Sequence, residues 1–345
     1  MFHTCQLLAG ELFPDEVFTN SGLTGRQMQA KAKNMLYDWF VTFRKEGFTE
    51  WNSSPYLPID TLGFGSLYAF AQDPAMRELG REGMDFAYYL LAVHSQQGIF
   101  ASSSGRTYIK EQFGNWSNCP SGLSWIGYGY GVPGHAGKGI TSYCLSDYEP
   151  PKEFAQWFSI PRGKEMICQT TQGNDGYVDL YTYKTADYMM TSANDFHPGE
   201  PGHQENPFQL TFNAVAQLWV THPGERVLFG AARPSYWAGN GTLPKVNQYK
   251  AFAGLIYDIA PEHPVDFTHL YLPSMEFDRC EVEGKWAFVQ LGSAYAAVYC
   301  SNGMRMQDFG SNKDRECIAE GRRCIWLVRA AQADEFAAFE KNFYK

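Results

Sequence analysis

One change of hydrophobic period organises this chain, and it falls at Pro150-Pro151. Before it, apolar residues recur at spacings of three and four. After it, short runs alternate apolar and polar residues between turn formers. Side chains share a face every 3–4 residues on a helix and every second residue on a strand, so the two halves are built from different elements. The expectation is an α+β multidomain chain, with residues 1–150 forming a helical domain and residues 151–345 a layered antiparallel β domain. A length of 345 residues accommodates two such cores.

In the first half, Leu7-Leu8-Ala9 and Leu12-Phe13 read as a helix ended by Pro14, with Asn20-Ser21-Gly22 offering capping and turn chemistry. Met28, Ala32, Met35, Leu36, Trp39, Phe40 and Phe43 form one wide stripe on a helix predicted from Gly25 to Glu46, closed by Gly47. Pro58 and Asp60 open another helix. Asp73-Pro74 starts a third with an acidic N-cap followed by proline, and its stripe runs from Met76 to His94, with Gly98 closing it. Short connections predict antiparallel hairpins. The stretch Gly114 to Gly139 reads either as a closely packed glycine-rich helix or as an aromatic lid. In the second half, strands are predicted at Tyr177–Tyr183, Leu210–Val215, Trp286–Leu291, Tyr295–Tyr299 and Cys324–Val328, and a terminal helix at Asp334–Phe343.

Charge narrows the function. A net charge of -9 argues against a broad nucleic-acid surface, which needs a basic face. It leaves room for a few arginines in a cleft that hold an acidic group. The eight cysteines form no C-x-x-C pair and no Cys/His cluster, so they read as scattered core thiols, and neither a metal nor a cofactor is expected. No apolar run is long enough to span a membrane, and Met1-Phe2-His3-Thr4-Cys5 does not open a signal peptide. As written, the chain reads as soluble, unexported and cytoplasmic.

Two loops in the helical half concentrate polar and aromatic chemistry. Phe48-Thr49-Glu50-Trp51-Asn52-Ser53-Ser54-Pro55-Tyr56 joins two helices, and Ser104-Gly105-Arg106-Thr107-Tyr108 follows the next two. Loops separated by two helices of a hairpin stack emerge on one rim. Carboxylate, amide, hydroxyl, indole and phenol groups together suit a polar, ring-shaped ligand such as a sugar. Taken alone, Trp51 and Tyr56 read equally well as a hydrophobic staple, and Asn52 or Ser53 as a cap. The second half carries three similar loops, His197–Asn206, Thr221–Gly224 and Pro234–Gly241, each of which also reads as an ordinary turn. His263 and His269 read as bystanders.

The ordered motifs E-W-N-S-x-x-Y (50–56), G-R-T-Y (105–108), a Tyr183/Tyr188 pair ahead of G-x-Q-E (202–205), T-H-P-G (221–224) and W-A-G-N-G (237–241) resemble the heparinase II/III-like proteins, closest to uncharacterised members. The resemblance implies a partial (α/α) toroid, here N-terminally truncated, followed by an antiparallel β-sandwich. It also implies a polysaccharide lyase acting on a uronic-acid glycan by β-elimination. A lyase must neutralise the uronate, remove its C5 proton and protonate the leaving oxygen. Asn52, Arg106 and Gln204 are the neutralising candidates, and Tyr108, Tyr188, His203 and His222 the proton-transfer candidates. The preferred pairing is Tyr108 with His203 across a cleft between the domains. Trp51, Tyr56 and Trp237 would stack on sugar rings, and Asn240 would add a polar contact. A rival reading is a glycoside hydrolase using Glu50 and Asp60, with Glu205 in reserve. A third is a non-catalytic carbohydrate-binding protein. The expected partner is an oligo- or polysaccharide, with no nucleic acid or membrane, and the oligomeric state is open.

Overall fold

The computed structural model describes residues 1–113, 118–131, 133, 138–173 and 178–332. The expected terminal helix Asp334–Phe343 lies outside the described residues, as do Tyr177 and residues 114–117, 132 and 134–137 of the glycine-rich stretch.

The helical half begins with α1 (Phe2–Leu12), a small hairpin of β1 (Val17–Phe18) and β2 (Leu23–Thr24), and α2 (Gly25–Glu46). The α2 cap is Thr24, not the Asn20-Ser21-Gly22 segment, which forms the turn between β1 and β2. The Gln27 amide donates to Thr24 Oγ1, and the Thr24 amide to Gln27 Oε1, a reciprocal capping box. Of the predicted stripe, Ala32, Leu36, Phe40 and Phe43 are buried, whereas Met35 and Trp39 are 38% and 39% exposed. Trp39 lies at the stripe's edge, stacked on Phe43 at 4.7 Å.

Helices α3 (Leu57–Phe70) and α4 (Pro74–Val93) form a tight hairpin. Asp73 caps α4, its carboxylate accepting from the Ala75 amide at 2.9 Å. Gly80 and Gly83 let the helices touch: a Cβ at Gly80 would lie 2.5 Å from the Tyr68 nitrogen, and one at Gly83 2.5 Å from the Phe64 ring. Short helices α5 (Ile109–Gln112), α6 (Ser121–Tyr128) and α7 (Ile140–Cys144) and a 3-10 turn (Lys152–Trp157) complete this half.

The strands of the second half start at Met166, ahead of the first predicted one at Tyr177–Tyr183. They are β3 (Met166–Gln172), β4 (Val178–Lys184), β5 (Met189–Asn194), β6 (Phe208–Thr211), β7 (Gln217–Thr221), β8 (Lys245–Tyr249), β9 (Phe252–Asp258) and β10 (Phe267–Tyr271). Then follow β11 (Arg279–Glu283), β12 (Trp286–Leu291), β13 (Ala294–Cys300), β14 (Arg305–Met306), β15 (Glu316–Glu320) and β16 (Arg323–Gln332). Strand β6 ends before the predicted Val215 because Asn213 folds the chain back, its Oδ1 accepting from the Val215 and Ala216 amides.

An eight-stranded sheet runs β14-β15-β10-β7-β6-β5-β4-β3 and a six-stranded sheet β11-β12-β13-β16-β9-β8, with antiparallel pairing throughout. Buried residues of both sheets, among them Phe208, Leu218, Leu255 and Trp326, make one core. Buried hydrogen bonds cross between the sheets: Trp326 Nε1 donates to Thr268 Oγ1 at 2.9 Å, the Tyr257 hydroxyl to the Val220 carbonyl at 3.1 Å, and Gln248 Nε2 to the Met190 carbonyl at 3.0 Å. Strands β8 and β9 alternate buried and exposed residues, whereas β6 and β7 are buried throughout. A strand covered on both faces loses its alternation. The fold is α+β with antiparallel sheets.

Lys184 ties the two halves. It leaves β4 fully buried, and its ammonium donates to the carbonyls of Ala92 at the end of α4, Ser95 and Trp157. Those carbonyls have no intrahelical partner, and a cation there also meets the negative end of the helix dipole.

Candidate functional site

The two polar loops of the helical half meet, and a loop of the sheet half joins them. Gly47, at φ 65°, ends α2 and releases the chain into residues 48–56. The Gly105 amide donates to the Trp51 carbonyl at 2.8 Å. Ser104 and Asn206 exchange backbone hydrogen bonds at 2.8 and 2.7 Å, and the Thr107 amide donates to the Gln204 carbonyl at 3.1 Å. Glycine is required at position 105, because a Cβ there would stand 2.6 Å from Trp51 Nε1. Three segments distant in sequence are thus laced through their backbones, which fixes the side chains between them.

Arg106 is the centre of what they present. Its Nη1 donates to Glu50 Oε1 at 3.0 Å and its Nη2 to the Tyr108 hydroxyl at 3.4 Å. Its guanidinium lies 5.3 Å from the Tyr56 ring centre and 5.8 Å from that of Tyr108. Arg233, from the loop after β7, sits over the other part of this cluster, 5.3 Å from the Tyr108 ring centre. Hydrogen bonds from Arg106 and then Tyr56 lower the Tyr108 pKa below its ordinary 10.0, while the bond to Tyr108 raises that of Tyr56. Two phenols that differ only in their neighbours are pushed in opposite directions, with Tyr108 the stronger acid.

Two cavities flank the cluster and share Thr49 and Glu50. One, of about 340 Å³, is lined by Trp39, Phe43, Glu46, Glu50, Tyr56 and Asp60 among others. The other, of about 240 Å³, lies between the halves and includes Trp51, Arg106, Phe196, His197, His203 and Glu205. Burial pushes the Asp60 carboxyl up to about 7, with the Glu50 charge adding to the rise and the chain's amino terminus opposing it.

Among the residues singled out from sequence, Glu50, Tyr56 and Asp60 line the first cavity and Glu50, Arg106 and His203 the second, with Tyr108 bonded to Arg106 beside them. For the expected pairing of Tyr108 with His203, the structure gives a shared neighbour: Arg106 lines the second cavity together with His203, and its Nη2 donates to the Tyr108 hydroxyl. Trp51 reaches the cavity wall but is 2% exposed, packed against Phe196, Val178 and Leu180, so it is a wall rather than a stacking platform. Asn52 is buried at φ 47° with its Oδ1 accepting from Gln172 Nε2 at 3.1 Å. Gln204 is likewise buried and donates to the Thr107 carbonyl at 2.8 Å, which anchors the arginine loop instead of facing a ligand.

Four site candidates, Tyr188 and His222 for proton transfer and Trp237 and Asn240 for substrate contact, are buried. Tyr188 lies in the core shared by the two sheets. His222 donates from Nε2 to the Val265 carbonyl at 3.1 Å, and burial pushes its pKa down to about 3. Trp237 stacks on His269 at 4.1 Å, inside an aromatic cluster with Trp219 and Tyr271. Asn240 accepts from the His222 amide and the Tyr257 hydroxyl and donates to the Glu205 carbonyl, each at 3.0 Å. Asn240 thereby anchors the loop that carries His203 and Glu205. Sequence reasoning missed Arg233 and Trp39, and marked His197 only as part of the loop His197–Asn206. Arg233 immediately precedes the Pro234–Gly241 loop, and that adjacency was the available signal. Trp39 was hidden inside an apolar stripe.

Among the described residues, no three His, Cys, Asp or Glu side chains converge as a metal site, and no helix is long and apolar enough to cross a membrane. Compared with known proteins, the chain matches no protein family, no curated protein and no solved structure.

Proposed function

We propose that this chain is a carbohydrate-active enzyme, a polysaccharide lyase that cleaves a uronic-acid-containing glycan by β-elimination at the cleft around Arg106. In this reading the helical hairpins belong to an incomplete (α/α) toroid and the two sheets to a β-sandwich. The observation that carries it is the Tyr108 phenol, made more acidic by Arg106 and Tyr56 and bordered by a second guanidinium, Arg233. A phenol of lowered pKa is a usable base, and the two arginines supply the positive field that an acidic sugar requires. Tyr108 removes the C5 proton; Tyr56, whose phenol keeps its proton, is placed to return one to the leaving oxygen. Glu50 holds Arg106 in position through its ion pair.

The test is ultraviolet absorbance on a panel of uronic-acid polysaccharides. Wild type is expected to generate the absorbance of an unsaturated sugar, and Tyr108→Phe to lower that rate by at least about a hundredfold, the usual scale of one acid–base group. No absorbance on any substrate from folded protein would sink the lyase reading.

One observation favours a second reading. Burial raises the Asp60 carboxyl to about 7, and Asp60 lines the same cavity as Glu50, so the two offer the acid and the carboxylate of a glycoside hydrolase. New reducing ends without absorbance, lost in Glu50→Gln, would select it. Binding without turnover would select a carbohydrate-binding protein.

A further inference from the structure

The second sheet holds a pair of thiols that the cleft does not use. Cys300 closes β13 and Cys324 opens β16, and these strands are hydrogen-bonded neighbours. Cys300 stands opposite Trp326, two residues from Cys324, so both side chains project from one face of the sheet into the shared core. Their sulfurs are 3.3 Å apart, and both residues are buried. The backbone is fixed around both: the Cys300 amide donates to Lys285, the Ser301 amide to Ile325, and the Ile325 amide to Ser301 Oγ, each at 2.9 Å.

We propose that Cys300 and Cys324 are an oxidisable pair that closes to a disulfide, stapling β13 to β16. The sulfurs have about 1.3 Å to travel to reach bonding distance, within what side-chain rotation supplies. The chemistry is polarised. The two thiols share a hydrogen bond, and this contact, with the nearby hydroxyls of Thr268 and Ser301, lowers the Cys324 thiol below its ordinary value, so Cys324 is the nucleophile. With a small-molecule disulfide as oxidant, the Cys324 thiolate attacks one sulfur and expels a thiolate, leaving a mixed disulfide. Cys300 then loses its proton, attacks the Cys324 sulfur and expels the second thiolate. The protein gives up two electrons and two protons, and the oxidant becomes two thiols. Because both cysteines are buried, exchange requires local opening where β13 ends beside the start of β16, and the closed bond is shielded afterwards.

The experiment incubates the full chain with oxidised glutathione, in buffer and in mildly destabilising urea, then denatures it with an alkylating agent and maps peptides without reduction. The expected product joins the Cys300 and Cys324 peptides, with the other six cysteines alkylated. In Cys300→Ala the second step is blocked, so Cys324 is expected as its glutathione adduct. A reductant should lower the melting temperature of oxidised wild type by several degrees and should not lower that of Cys300→Ala, whose adduct staples nothing. Recovery of both wild-type cysteines alkylated after the urea incubation, or their pairing with Cys280 or Cys317, overturns the proposal.

Discussion

At the scale of single residues, two buried charges decide more than their neighbours in sequence reveal. Asp60 has a carboxyl raised by burial from an ordinary 3.8 to about 7. In that window the native state holds a proton that the unfolded chain has released. Its effect is therefore absent below about pH 4 and grows into a loss of stability as pH rises to about 7. Asp60→Asn is expected to raise the melting temperature at pH 8 and to leave it unchanged near pH 4; an equal effect at both would refute burial as the cause. Lys184 is the opposite sign of charge in a deeper place, and burial pushes its ammonium down to about 7. Removing it leaves the carbonyls of Ala92, Ser95 and Trp157 without their donor. Lys184→Met should cost about 2–4 kcal/mol in urea unfolding, because three buried acceptors lose a charged partner. A neutral result would mean those carbonyls find other donors. Neither residue announced its role. Asp60 reads as a helix-start acid, and Lys184 sits in an alternating strand where lysine ordinarily faces water.

At the scale of elements, the arginine loop depends on the strand-half loop that receives it. Gln204 is bound to Thr107 by both its backbone and its side chain. Gln204→Ala should leave the fold intact and speed hydrogen exchange at the Gly105 and Thr107 amides, with the change confined to residues 104–108 and their neighbours. Unchanged exchange there would show that the backbone pairs alone hold the loop. The helices themselves were legible: α2 occupies the predicted Gly25–Glu46, and α4 begins at Asp73-Pro74, because caps, proline and glycine act locally. Strand ends were less legible. Leu210–Val215 alternates plausibly, yet the chain turns at Asn213 once its side chain caps two amides.

At the scale of the molecule, the two sheets are joined by apolar packing and by a few buried polar bonds that set how they face. Trp326 is fully buried and reaches from β16 to Thr268 on β10. Trp326→Phe keeps most of the volume but removes that bond, so about 1–3 kcal/mol should be lost in denaturant unfolding. A loss below a few tenths would assign the sheet pairing to packing alone. Glu316 shows the same economy. Burial alone would raise its carboxyl, but His269, Tyr236 and Asn312 hold it below its ordinary value. His269, a bystander by sequence, is thus half of a buried hydrogen-bonded pair, its Nδ1 2.6 Å from Glu316 Oε1.

What the sequence determined by itself is whatever depends on near neighbours along the chain. The change of hydrophobic period separated helices from strands, local capping chemistry bounded the main helices, and the polar loops at 48–56 and 104–108 marked where chemistry gathers. What only the tertiary structure decided is which polar side chains are free. Trp51, Tyr188, His222, Trp237 and Asn240 have the same chemistry as true ligand contacts, but burial and protein partners consume it. Arg233 was invisible as a site residue for the converse reason: it reaches Tyr108 from 125 positions away in numbering (233 − 108). A hydrogen-bonding group's availability depends on everything packed around it, and those neighbours come from distant parts of the chain that no local pattern brings together.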